Sequence, residues 1–312
     1  ALVQKWGGGV GYTLSHLRPK GSPVKTTQRY AGGPVAFMKL YHGVATAVTQ
    51  GGKRDGAQMA ILHVDHPDVY DFINSKNEDP QSLSTFNISV AMTDESMISK
   101  KDLLRKIAEN AWKTGDPGCY FIDQAERFNP TPQLGLLTGT NPCGEVPLLD
   151  NEPCNLGSIN LGNFVHNSNI DWTRLGEVTI LATRFLDDVV TINEFPVPEI
   201  RAANLRTRKI GLGVMGWADM LALLEIHYDT EEAVNLGRAV MAYIDGIAKE
   251  ESIRLAEERG DFPSWNGDFQ PHIRNATRTC IAPTGTISIL AEASSGIEPH
   301  FAITWSRVMG DG

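Results

Sequence analysis

The sequence predicts an α/β fold, and three observations carry the prediction. Residues 58–63 (Gln-Met-Ala-Ile-Leu-His) and 86–92 (Phe-Asn-Ile-Ser-Val-Ala-Met) read as strands. Around them apolar residues recur at helical spacing, as in Met38, Tyr41, Ala45 and Val48. The chain has 312 residues, 41% hydrophobic and 21% charged, which is enough apolar material for a layered core.

The elements follow in order. Gly7-Gly8-Gly9-Val10-Gly11 is a permissive backbone that can approach a ligand closely. Leu17 to Val24 holds two prolines, a glycine, Arg18 and Lys20, so it reads as a loop with two cations that suits an anion. Pro34 opens a helix at a favoured first position, and Gly51-Gly52 is its expected stop. Gly51, Gly52, Lys53 and Arg54 then form a short charged loop. His63 and His66, with Asp65 and Asp68, could suggest a metal site. His66-Pro67 reads better as a helix entry, with Val69, Phe72 and Ile73 following at helical spacing. Leu103, Leu104, Ile107, Ala108, Ala111 and Trp112 predict a helical stripe, and residues 119–122 a short buried strand with Cys119 in the core.

Beyond the Pro- and Gly-rich stretch that follows, a long helix starts near Asp171. Its expected apolar face is Leu175, Val178, Leu181, Phe185, Val189 and Val190. Gly211-Leu212-Gly213-Val214-Met215-Gly216 is formally Gly-x-Gly-x-x-Gly, yet Arg206, Arg208 and Lys209 leave no apolar strand leading into it. The glycines are expected to let a helix pack closely instead. Residues 230–259 predict a long helix stopped by Gly260, and residues 279–290 a strand–turn–helix. A helix start flanked by Thr284, Thr286 and Ser288 could bind phosphate or could simply be capped by its own hydroxyls.

Composition narrows the function. A net charge of −9 argues against a nucleic-acid groove and leaves room for a small phosphorylated ligand. No run of 18 apolar residues predicts a membrane span. Four cysteines are no disulfide framework, so a reducing cytoplasm is the expectation. The chain lacks an initiator Met and a signal-like start, and both ends read as cuts in a longer chain.

The chemistry concentrates at Asn141-Pro142-Cys143-Gly144-Glu145 and at Cys154, eleven residues beyond Cys143. In an extended segment Asn141, Cys143 and Glu145 face one side and offer an amide, a thiol and a carboxylate together. Pro142, Gly144 and Pro147 rule out a regular helix. The expectation is a stiff, buried loop facing a cavity. Residue chemistry alone leaves a second reading open: two inert core thiols and a solvated carboxylate.

The longer string narrows this. Asn141-Pro142-Cys143-Gly144-Glu145, then Cys154-Asn155-Leu156-Gly157-Ser158-Ile159-Asn160-Leu161, resembles the finger loop of the ribonucleotide reductase catalytic chain, most closely the adenosylcobalamin-dependent class II. Residues 7–23, 51–59, 86–90, 195–200, 210–219 and 283–299 resemble further blocks of that family, in its order. The resemblance implies a ten-stranded α/β barrel of two parallel five-stranded halves with the finger at its centre. Residues 1–312 would be part of one such barrel domain, incomplete at both ends.

It also implies roles. Cys143 resembles the thiyl-radical cysteine, Glu145 the base for the 3′-hydroxyl, Asn141 the ligand of the ribose hydroxyls, and Cys154 one of two reducing thiols. The partner of Cys154 would lie upstream of this chain. Pro283, Thr284, Gly285, Thr286, Ile287 and Ser288 resemble the substrate phosphate loop, with Gly9 also beside substrate. Arg18 and the Gly51–Gly52–Lys53–Arg54 loop resemble the effector and specificity elements. Adenosylcobalamin is the implied cofactor, with no metal site on these residues. The implied partners are a ribonucleotide, a dNTP or ATP effector, a thioredoxin-like reductant and, for the full-length protein, a second copy. A class I subunit fed by a separate radical-generating chain, or a non-catalytic nucleotide-binding remnant, are the alternatives.

Overall fold

The computed structural model describes residues 1–48, 56–77, 83–267, 271–302 and 304. The chain divides into two compact units, Ala1–Asp150 and Asn151–Gly312.

In the first unit, Val10–Thr13, Gln58–His63, Phe86–Met92 and Gly118–Phe121 form a four-stranded sheet in that order, every pair parallel. Five of the six residues in Gln58–His63 are buried, as expected of a parallel strand covered on both faces. On one face Leu62, Phe86, Ile88 and Val90 pack with Met38, Phe72, Leu103 and Ile107 from the helices Pro34–Ala47, Val69–Ile73 and Lys101–Thr114. On the other, Met59, Ile61, Ala91 and Tyr120 form a smaller cluster. Cys119 is half-buried against the larger core, and burial pushes its thiol pKa up.

The strand boundaries at 58–63 and 86–92 match the sequence reading, and His66 is a helix entry. Its Nε2 lies 3.0 Å from the Leu17 carbonyl oxygen, and its Nδ1 accepts the Asp68 N–H at 3.1 Å. The helix from Pro34 ends at Ala47, and Gly51, Gly52, Lys53 and Arg54 fall outside the described residues. The predicted stripe of Lys101–Thr114 is corrected: Trp112 is 86% exposed and Ala108 is also exposed, while Leu103, Ile107 and Asn110 face inward. Asn110 tolerates full burial because its amide donates to the Ile73 carbonyl at 2.9 Å and to Asn74 Oδ1 at 3.0 Å.

In the second unit, Asn155–Asn160 and Ile210–Met215 pair in parallel, from Ile210↔Asn155 to Met215↔Asn160. A bridge at Leu212↔Thr279 brings a third segment to the other side of Ile210–Met215. The helices Trp172–Ile192 and Glu231–Arg259 cover this sheet, with Leu175, Leu186, Val190, Val240 and Ile244 in the core. Asp171 caps the first by accepting the Arg174 N–H at 2.9 Å, and Gly260 at φ +84 ends the second.

Two expectations change here. The inward face of Trp172–Ile192 is Leu175, Thr179, Thr183, Leu186, Asp187 and Val190, while Leu181 and Phe185 are 67% and 64% exposed. Thr179 and Thr183 can be buried because each hydroxyl donates to the carbonyl four residues back, both at 2.8 Å. The glycine motif is a fully buried strand, Ile210–Met215, and Gly216 at φ +72 turns it into the helix Trp217–Leu223. Its glycines make room for neighbouring strands: a Cβ at Gly213 would stand 2.0 Å from the Cys280 carbonyl oxygen, and one at Gly216 2.4 Å from Asn160 Oδ1. That space is filled by the chain itself, which leaves no cradle for a dinucleotide.

Among the described residues no closed barrel forms. Closure needs every strand paired on both edges, whereas Val10–Thr13 and Gly118–Phe121 end the four-stranded sheet and Asn155–Asn160 pairs on one side only.

Candidate active site

Thr140 and Pro147 frame the cysteine stretch. Gly139–Thr140 and Pro147–Leu148 are short antiparallel strands, in register Thr140↔Pro147. Between them the chain makes a tight turn, closed by the Gly144 N–H donating to the Asn141 carbonyl at 3.0 Å, with Gly144 at φ +87. Asn, Pro and Gly are favoured at the first, second and fourth positions of such a turn. The segment is therefore non-helical, as expected, but turned rather than extended.

The turn brings the amide and the carboxylate together. Asn141 Nδ2 donates to Glu145 Oε2 at 2.6 Å, and Asn141 Oδ1 accepts the Val146 N–H at 3.0 Å. The amide thus holds the half-buried carboxylate in place. Cys143 departs from expectation, because it is exposed and not buried. Pro142 is buried in the turn, and Cys143, at the next position, is exposed.

The glycine-rich start of the first unit supports this hairpin. A Cβ at Gly9 would fall 2.3 Å from Pro142 Cγ, and one at Gly11 1.8 Å from the Thr140 carbonyl oxygen. Asn87 Nδ2 donates to the Pro142 carbonyl at 2.8 Å, and Thr13 Oγ1 to that of Thr138 at 2.6 Å. Gly9, expected beside substrate, is exposed and serves as the platform for Pro142. Arg18 is exposed in the loop before Lys20, whose ammonium lies 3.5 Å from Asp71 Oδ2.

Cys154 belongs to the second unit. It is half-buried just ahead of Asn155–Asn160, with Sγ 3.7 Å from the Asn155 carbonyl oxygen. Two charged residues to which the sequence reading gave no role at the site, Glu152 and Lys209, fix its approach. Glu152, buried, accepts Lys209 Nζ at 2.7 Å and Thr207 Oγ1 at 2.5 Å. Lys209 precedes Ile210, which pairs with Asn155, so this buried ion pair pins the segment carrying the thiol. A Glu three residues before a strand, with a Lys one residue before its partner strand, is the faint signal that could have found it.

In the 283–288 loop the hydroxyls divide. Thr284, buried at φ +56, accepts the Gly296 N–H at 2.7 Å, and Ser288 Oγ lies 2.9 Å from Ser295 Oγ. Both hydroxyls thus brace the loop itself. Pro283, Gly285, Thr286 and Ile287 are exposed, and Thr286 starts the short helix Ile287–Leu290 with no side-chain cap bond. Among the described residues no group of three or more His, Cys, Asp or Glu is placed to hold a metal ion.

With this geometry in hand, comparison with known proteins is decisive. The sequence profile of the family described as ribonucleotide reductase, barrel domain, matches residues 1–99, 95–272 and 270–312. The chain belongs to this family. It is 47% identical to a vitamin B12-dependent ribonucleoside-diphosphate reductase of Thermoplasma acidophilum, over 98% of this chain and 44% of that protein. A protein of the same description from Mycobacterium tuberculosis is 46% identical over 99% of this chain and 48% of its own length. The chain therefore spans about half the length of the curated relatives it matches. A ribonucleoside-diphosphate reductase subunit alpha of Chlamydia pneumoniae is 29% identical over 96% of this chain and 38% of its own. Among solved structures, the Actinobacillus ureae class Id ribonucleotide reductase alpha subunit aligns with a TM-score of 0.79. It is 23% identical and covers 95% of this chain and 57% of that one, which shows the shared α/β fold.

Proposed function

We propose that the protein containing this chain reduces ribonucleotides, as diphosphates, to 2′-deoxyribonucleotides for DNA synthesis, with adenosylcobalamin as its cofactor. One observation carries the reading: the Asn141–Glu145 hydrogen bond, at 2.6 Å, spans the tight turn that holds the exposed Cys143. Relatives at 46–47% identity are vitamin B12-dependent ribonucleoside-diphosphate reductases, which supports the cofactor and the substrate class.

The donor chemistry fits that cofactor. Adenosylcobalamin, when bound, supplies a hydrogen-atom acceptor that can turn a thiol into a thiyl radical, and Cys143 presents a thiol at a hairpin tip. The remaining steps fall to the chain's own side chains. The Cys143 sulfur takes the 3′ hydrogen atom of the ribose and later returns it. The Glu145 carboxylate takes the proton of the 3′-hydroxyl, for which Asn141 holds it in place. The 2′-hydroxyl leaves as water, and Cys154 supplies one of the two thiols that become a disulfide. The backbone N–H groups of the exposed residues Gly285 and Thr286 are assigned to a substrate phosphate, and the exposed Arg18 to a dNTP or ATP effector. The Gly51–Arg54 loop is assigned to effector response, a thioredoxin-like protein to re-reduction, and the cytoplasm to the whole. A ten-stranded barrel with a central finger, and a homodimer, are proposed for the full-length protein.

The test is Cys143→Ser in the full-length protein. A serine O–H holds its hydrogen far more strongly than a thiol, so deoxynucleotide formation is lost while substrate Kd stays within about threefold. Cys154→Ser also loses turnover but still reaches the Cys143 radical stage, and the substrate breaks down abnormally. Normal turnover by the Cys143→Ser protein overturns the assignment.

A further inference from the structure

In the second unit, the loop assigned above to a substrate phosphate is held from behind. Thr284 sits at φ +56, a left-handed backbone that is rare for a β-branched residue. Such a conformation persists only where its surroundings fix it. Here residues 294–296 do so. The Gly296 N–H donates to Thr284 Oγ1 at 2.7 Å, and Ser295 Oγ lies 2.9 Å from Ser288 Oγ. The approach is close: a Cβ at Gly296 would stand 3.0 Å from the Ala282 carbonyl oxygen. This segment is in turn fastened through Ser294 to the start of the helix Trp217–Leu223, where all three polar groups of Ser294 are engaged. Its N–H donates to Asp219 Oδ2 at 2.7 Å, its Oγ accepts the Asp219 N–H at 3.4 Å, and its carbonyl accepts the Gly216 N–H at 2.8 Å. His300 Nε2, 3.1 Å from Asp219 Oδ1, ties the continuation of the segment to the same carboxylate.

We propose that Asp219 is a positioning residue for the substrate phosphate. Through Ser294 it holds residues 294–296 against Thr284 and Ser288, and so keeps the Gly285 and Thr286 N–H groups in place for the phosphate oxygens. It acts through this clasp and not by contact with substrate. The role rests on the assignment of those N–H groups made above; the clasp itself rests on the hydrogen bonds alone. Donors fixed in advance spare the cost of ordering them on binding. A loosened clasp therefore weakens the hold on the phosphate and leaves the reacting groups as they were. Its signature is a rise in KM with kcat nearly unchanged.

Calorimetry on the full-length protein compares cytidine diphosphate with cytidine, which has the same base and ribose and no phosphate. In Asp219→Ala the diphosphate is expected to bind about tenfold more weakly, as for one lost hydrogen bond to a charged group, and cytidine within about twofold of wild type. Asp219→Asn, whose Oδ1 can still accept the Ser294 N–H, is expected to recover most of the affinity. Should Asp219→Ala not fold, Thr284→Val breaks the clasp at its other end and is expected to reproduce the loss. Equal losses for the diphosphate and cytidine would mark a merely structural role and overturn the proposal. Amide exchange separates the clasp from the phosphate reading. The diphosphate is expected to slow exchange at Gly285 and Thr286 in wild type, and Asp219→Ala to speed it at Gly296. Slowing in wild type, together with undiminished diphosphate affinity in Asp219→Ala, overturns the positioning role and leaves the phosphate assignment standing. No slowing in wild type overturns the phosphate assignment, and the positioning role with it.

Discussion

Cys143 shows how one turn position decides a residue's chemistry. Its neighbour Pro142 is buried against Gly9, and the thiol is left at the exposed tip. Cys119, by contrast, packs half-buried beside the first core, where burial raises its pKa and lowers its thiolate fraction at any given pH. Iodoacetamide at pH 8 is therefore expected to label Cys143 at least tenfold faster than Cys119, with peptide mapping as the readout. Equal rates would place the two thiols in similar surroundings. The sequence reading had Cys119 right as a core thiol and had Cys143 wrong as a buried one. The signal for the turn was present in Asn141-Pro142-Cys143-Gly144. It was read as alternation along a strand, although Pro and Gly at those offsets specify a turn. Asn141 and Glu145 meet because the turn folds the chain back; along a strand the same two residues would share a face but stand about 13 Å apart.

At the scale of elements, buried polar groups override apolar periodicity. Asp187 on Trp172–Ile192 is fully buried because it accepts Arg208 Nη2 at 2.7 Å, Asn275 Nδ2 at 3.0 Å and Arg259 Nη1 at 3.2 Å. It therefore faces the core on a helix whose Leu181 and Phe185 face outward. No hydrophobic pattern could choose that face, because the partners come from residues 21 to 88 positions away. The Glu152–Lys209 pair makes the same point where function is concerned. Removing one member of a buried pair leaves an uncompensated charge and costs about 3–5 kcal/mol. Lys209→Met is expected to destabilise the second unit by that order and to expose Cys154 to alkylation. Glu152→Gln with Lys209→Met is expected to recover most of the loss. Urea unfolding followed by amide exchange in Asn155–Asn160 and Ile210–Met215 is the measurement, and a single variant as stable as wild type would show that the pair fixes nothing.

At the scale of the whole molecule, two compact units each carry part of the proposed chemistry: Asn141, Cys143 and Glu145 in the first, Cys154 and residues 283–288 in the second. The proposed cofactor gives a prediction at this scale. Turnover by the full-length protein is expected to require added adenosylcobalamin and no second kind of protein chain, measured as deoxynucleotide formation with cobalamin radical detected by electron paramagnetic resonance. Activity that ignores cobalamin and depends on a second chain would transfer the assignment to the class with a separate radical-generating subunit.

The sequence by itself determined the α/β class, the boundaries of Gln58–His63 and Phe86–Met92, and the stop of Glu231–Arg259 at Gly260. These depend on local periodicity and on Gly or Pro at fixed offsets, which act within a few residues. It also determined the family, through strings too long to arise from composition. Tertiary structure alone decided that Ile210–Met215 is a buried strand, because its glycines are matched to Leu156, Cys154 and Cys280 from other segments. It alone decided which face of Trp172–Ile192 is inside, that Thr284 and Ser288 brace their own loop, and that Cys280 packs against Gly211 and Gly213. Each of these depends on a partner outside the element itself, and a hydrogen bond or a close approach between separate segments leaves no period in the sequence.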